Sequence, residues 1–282
     1  MGPYRRSLLG LLAVAGLVLV SCSSGPQPPK PGTPGFFWLA AKENFKTGDY
    51  VKASDQLEQV TKSQNEHTAS AWPWRLVLVS ALAHVYMDLA DQFEDGARVN
   101  KVNPTPLRRR VSDFRSLAAR NALVFAEAVD RFAKEHKDGE VTLDFPFPTG
   151  SPAPVAALKR VREGAPLPGP EMESAQRSAV QRAVLLETCR AVGAANDTAK
   201  AQELLKSPPA KIPRDVFVRA MAESMYEIAA VFGQRKADQP ERQTLFLTRA
   251  QDLAAKLADS KESKDLKSKI EAELKKSKTR KP

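Results

Sequence analysis

Apolar side chains recur along most of the chain at intervals of three and four residues, the rhythm of a helix that buries one face. The run Phe36-Phe37-Trp38-Leu39-Ala40-Ala41 predicts a helix reaching about Lys46. Gly48-Asp49 interrupts it, and Tyr50, Ala53, Leu57 and Val60 then predict a second helix over Tyr50 to Lys62. Two longer helices follow. Leu78, Leu82, Val85, Leu89 and Phe93 mark one over Ala71 to Phe93, and Phe114, Leu117, Phe125, Val129 and Phe132 mark another over Leu107 to Phe132.

The rhythm stops between Lys137 and Pro170, where Val141, Leu143, Phe145 and Phe147 alternate with polar residues or Pro and six further prolines preclude long regular structure. A short helix over Pro154 to Glu163 is the one element expected there. Helices resume at Glu171–Val192, Thr198–Lys206, Arg214–Phe232 and Pro240–Ala258. A last helix, Lys261 to Lys275, carries only Leu266, Ile270 and Leu274 as apolar points, which predicts a lightly packed or frayed cap. The expected fold is all-α, an irregular solenoid or bundle of helical hairpins with a Pro-rich irregular insertion.

The first 22 residues follow a different logic. Arg5 and Arg6 precede an apolar run of thirteen residues, Leu8 to Val20, and then Leu19-Val20-Ser21-Cys22. Roughly 20 apolar residues are needed to cross a bilayer as a helix, so the run reads as the core of a signal peptide. Its end resembles the lipobox of bacterial lipoproteins. That resemblance implies removal of residues 1–21, lipid on Cys22 and a lasting hold on a membrane. Ser23 rather than Asp after the cysteine implies, by the same resemblance, an outer-membrane lipoprotein facing the periplasm.

Residues 22–35 continue as a Pro/Gly-rich linker, Gly25 to Gly35, whose extended chain at about 3.1 Å per residue spaces the body some ~30 Å from the bilayer. Beyond it the expected organisation is an N-terminal helical region (36–136), the Pro-rich insertion (137–170), a C-terminal helical region (171–260) and a Lys-rich helix and tail (261–282).

The first hairpin, Phe45-Lys46-Thr47-Gly48-Asp49-Tyr50-Val51-Lys52-Ala53 with Leu57 and Val60, resembles a tetratricopeptide repeat. Gly permits the tight turn, Asp caps the second helix, and a small Ala lets the two helices approach. Phe37 and Ala41 take the bulky and small positions of the first helix. A fainter copy, Asn196-Asp197-Thr198-Ala199-Lys200-Ala201 with Leu205, pairs with Leu185 and Cys189 in the same register, and Ser207-Pro208-Pro209 cuts its second helix short. The resemblance implies a scaffold that grips a partner in the groove of stacked hairpins.

Composition narrows this further. The net charge is +10, but Arg5 and Arg6 lie in the signal segment, and residues 261–282 alone hold nine Lys or Arg against four Asp or Glu. The central body is only mildly basic, so nucleic acid is not an expected partner. With Cys22 acylated, Cys189 has no intrachain partner and is expected to pack as a small apolar residue. No phosphate loop, dinucleotide glycine pattern, nucleophile elbow or paired metal-ligand motif occurs, so neither an enzyme, a metal nor a cofactor is expected.

The candidate ligand- or partner-binding stripe is Ser80, His84, Asp88 and Asp91, which spacings of four, four and three set on one side of the 71–93 helix. Such a stripe is either the wet face of the helix or the lining of a concave surface. His67, His136 and the run Arg108-Arg109-Arg110 with Arg115 and Arg120 read as solvated. The expected function is a lipid-anchored, non-enzymatic scaffold or adaptor that binds another cell-envelope protein. The alternative is a small-ligand-binding lipoprotein accessory to a solute transporter.

Overall fold

A computed structural model describes residues 28–136, 139–195, 197–234 and 236–279. Cys22, the signal segment and the first part of the linker lie outside the described residues. The chain is all-α: about 72% of it is helical, and a two-stranded sheet is the one β element among the described residues.

The first hairpin consists of α1 (Pro34–Lys46) and α2 (Tyr50–Thr61). Thr33 caps α1 through its hydroxyl, which accepts from the Phe36 amide, and Asp49 caps α2 by accepting from the Lys52 amide. Gly48 between them has φ +73°, a left-handed value that side chains with a Cβ resist. The central pair is α3 (Thr68–Val99) and α4 (Thr105–Glu135), joined by a short turn in which the Asn100 side chain accepts from the amides of Val102 and Asn103. At 32 residues α3 is about 48 Å long. By length and apolarity it is able to cross a membrane, but here α2, α4 and three later helices cover it, and this burial accounts for its composition.

Those covering elements come from both later segments: α5 (Ala156–Arg162), α6 (Gly169–Ala191), the short α7 (Thr198–Leu204) and α8 (Arg214–Ile228), which runs on as a 3-10 turn to Phe232. The helices α9 (Pro240–Ala255) and α10 (Lys261–Thr279) close the C-terminal side. One hydrophobic core runs through all of these segments, from Trp38 to Leu274.

Two expectations change. The alternation at residues 141–147 reads as irregular, yet β1 (Glu140–Leu143) pairs antiparallel with β2 (Ala210–Pro213), Val141 opposite Ile212 and Leu143 opposite Ala210. Val141, Leu143 and Phe145 all point into the core, so the Pro-rich stretch contributes to it. The second change is α10. Its apolar stripe is longer than three residues because Ser263 and Ser277 are small enough to be buried in line with Leu266, Ile270 and Leu274, and the helix docks on α9 along its length. The Ser277 hydroxyl bonds to the Leu274 carbonyl and lies 3.2 Å from the Thr244 hydroxyl.

Candidate functional site

The stripe on α3 divides among three environments, because a helix covered on most sides has no single wet face. Ser80 is fully buried and donates to the Val77 carbonyl at 3.1 Å, so it belongs to the core. Asp91 forms an ion pair with Lys236 at 2.7 Å. His84 and Asp88 do meet at a concavity, a crevice of about 460 Å³ between α3, α6 and α8.

The floor of that crevice is an ion network. His84 Nδ1 lies 3.5 Å from Glu187 Oε2 on α6, and its Nε2 lies 3.6 Å from Glu227 Oε2 on α8. Arg190 Nη1 reaches Glu227 at 2.8 Å, Glu187 at 3.7 Å and the Ser224 hydroxyl at 3.1 Å. Ser224 in turn donates to Glu187. Burial alone would raise the Glu187 carboxyl, but His84, the Arg190 charge and the Ser224 hydroxyl outweigh it and hold that group down at about 2. Glu187 is therefore a buried carboxylate, compensated on every side.

At the rim the balance is different. Loss of surrounding water raises Asp88, with the His84 charge opposing, and it raises Glu223, with Arg190 and Arg219 opposing. Arg182 also lines the crevice, so carboxylates that have lost part of their water stand beside an imidazole whose buried Nε2 has no hydrogen-bond partner among the described residues. Among the described residues no group of three or more His, Cys, Asp or Glu is placed to hold a metal ion.

Of these residues, His84 and Asp88 are legible in the sequence. Glu187, Arg190, Ser224 and Glu227 are not, although Glu187 with Arg190 and Glu223 with Glu227 sit three and four apart on amphipathic segments; the signal that they converge lies only in the packing of α6 and α8 against α3.

The other sequence candidates settle elsewhere. His67 ends the loop before α3 and stacks on Trp38, centroids 5.5 Å apart, and His136 stacks on Phe132 at 4.6 Å. Both imidazoles thus have packing roles, not merely solvation. Cys189 is buried, and burial with the nearby Asp197 charge pushes its thiol up to about 11, which leaves it unreactive at neutral pH. The arginines divide: Arg109, Arg110 and Arg120 are exposed, whereas Arg108 and Arg115 line an open cleft of about 840 Å³ at the α3–α4 turn, with Arg98, Lys101 and Glu94.

The comparisons that would place such a chain are silent: no protein-family model, no curated protein and no solved structure matches it.

Proposed function

We propose that the chain is a lipid-tethered, non-enzymatic helical adaptor of the bacterial envelope, held by lipid on Cys22 and facing the periplasm from the outer membrane, that binds another envelope protein. The lipobox-like Leu19-Val20-Ser21-Cys22 supports the tether, and the hairpin resemblance supports a protein-binding body.

One observation carries the reading. The tether joins the body where Pro29 shares a hollow with Trp38 and His67, the residue before α3. The 840 Å³ cleft lies around Asn100 and Lys101, just past the other end of the same helix. Most of that helix's length of about 48 Å thus lies between the N-terminal linker and the cleft, which suits a body that meets a partner away from its attachment. The buried Glu187 carboxylate is taken up by Arg190, Ser224 and His84, which suits a structural role for that network.

The test pairs two measurements. Cys22→Ser should release the protein from the membrane fraction, and a photo-crosslinking residue at Ser112, in the cleft lining, should give a discrete protein adduct in intact cells. Absence of that adduct, with the protein abundant and membrane-bound, refutes the adaptor.

The Asp88–Glu223 rim favours a second reading, a lipoprotein that binds a small cationic ligand in the His84 crevice on behalf of a solute transporter. Under it, Asp88→Asn and Glu223→Gln would abolish ligand uptake and leave the Ser112 adduct unchanged.

A further inference from the structure

The cleft at the α3–α4 turn is charged in one sense. Four cationic side chains, Arg98, Lys101, Arg108 and Arg115, line it against a single carboxylate, Glu94. Glu94 serves two of them, Arg115 at 2.8 Å and Arg98 at 3.1 Å, and Asp95 adds a second contact to Arg98 at 3.7 Å. Lys101 and Arg108 form no ion pair among the described residues, and both are exposed to solvent. Arg109 and Arg110 extend the positive field along α4, whose first turn holds no acidic residue, so the helix dipole adds to it rather than being neutralised.

The remaining lining mixes apolar Ala97, Pro104, Val111, Ala119 and Ala237 with polar Asn100, Ser112, Ser116 and Gln239. Beside that lining, Val99 at the last position of α3 and Val102 in the turn stand 57% and 97% exposed.

We propose that this cleft is the docking site for an acidic peptide segment of the partner protein, one in which Asp or Glu alternates with aliphatic residues. Lys101 and Arg108 pair with its carboxylates, while Val99, Val102 and Val111 cover its apolar side chains. Charge complementarity selects the occupant, four cations facing one carboxylate with apolar surface beside them. The inference rests on the adaptor reading and gives it a partner chemistry.

The test uses the purified full-length protein in detergent and a fluorescein-labelled peptide of alternating glutamate and leucine, followed by anisotropy. The acidic peptide should bind, its glutamine counterpart should not, and affinity should fall steeply with salt. Lys101→Glu with Arg108→Glu should weaken binding by at least about tenfold with the helical circular dichroism unchanged. The charge-matched control, Lys269→Glu with Lys275→Glu on α10, should leave affinity as it was.

Equal loss in that control, or equal binding of the glutamine peptide, overturns the proposal in favour of unspecific attraction. Displacement of the peptide by glycerol phosphate at comparable concentration overturns it in favour of a phosphate or headgroup site. The two readings fail separately: a Ser112 adduct in cells that survives Lys101→Glu with Arg108→Glu sinks the acidic-segment proposal and keeps the adaptor. Specific peptide binding with no Ser112 adduct sinks the adaptor instead.

Discussion

The two ends of the α3–α4 pair differ in how much aromatic packing each holds and in what each exposes. At the end where the tether joins, Trp74 packs against Phe45 at 4.7 Å and against Phe145 at 5.1 Å, Phe45 meets Tyr50 at 5.0 Å, and Trp38 closes over Phe145 at 5.1 Å. At the other end a smaller aromatic contact, Phe93 on Phe114 at 5.4 Å, lies beneath a turn lined by arginine, lysine and small residues around an open cleft. Aromatic pairs contribute area and directional contact together, whereas exposed charges contribute little to stability. The larger aromatic cluster therefore lies at the end nearest the N-terminal linker, and the exposed charge at the other. Residues that determine folding and residues that determine binding should separate along one helix.

Truncation of the aromatic end tests that separation most severely. Trp74→Ala removes a fully buried indole from the centre of the cluster and should cost about 3–5 kcal/mol, read as a lower denaturant midpoint. A loss below about 1 kcal/mol would show that the cluster is not the stabilising end.

Midway along α3, the His84 network gives the next largest effect. Glu187→Gln leaves Arg190 and His84 short of a buried carboxylate and should cost about 2–3 kcal/mol at neutral pH. The sign of the pH dependence follows from the depressed carboxyl. With the folded value near 2, below the ordinary 4.5, Glu187 contributes its full stabilisation above about 4.5 and loses it as pH falls toward 2. The wild type should thus lose more stability than Glu187→Gln over that window, as followed by acid titration of the helical signal.

These contrasts were unequally legible in the sequence. The helices α3 and α4 are visible because long amphipathic periodicity is a local signal, and Asp49 and Asp197 are visible as caps because capping is local too. Asp197 accepts from the Lys200 amide at 2.9 Å, as its position before Thr198-Ala199-Lys200 predicts. The pairing of β1 with β2 is not visible, since it joins residues some 70 apart and one strand ends on a proline. The same limit hides the crevice: His84 and Asp88 share a helix, but Glu187, Ser224 and Glu227 reach them only once α6 and α8 have packed. Ser263 and Ser277 escaped for a different reason, because small polar side chains carry no hydropathic signal even where they fill a buried groove.

A smaller effect returns to the tether end. Asp49→Ala removes the side-chain acceptor for the Lys52 amide and its ion pair with Lys52, and should cost about 1 kcal/mol in thermal or denaturant unfolding. It should leave the cleft untouched, so peptide binding at the far end stays at the wild-type affinity.

The smallest expected effect on stability carries the most information. Lys101→Ala and Arg108→Ala remove exposed cations that have no ion-pair partner among the described residues, and each should change unfolding free energy by no more than about 0.5 kcal/mol. Relief of repulsion among the cleft cations even allows a slight gain. The same substitutions should weaken the acidic peptide, since the attraction they remove acts only on an occupant. A variant that is as stable as the wild type and deficient in binding locates recognition at the far end of α3. One that is destabilised as strongly as Trp74→Ala would mean that the basic turn holds the hairpin together, and the contrast between the two ends would be lost.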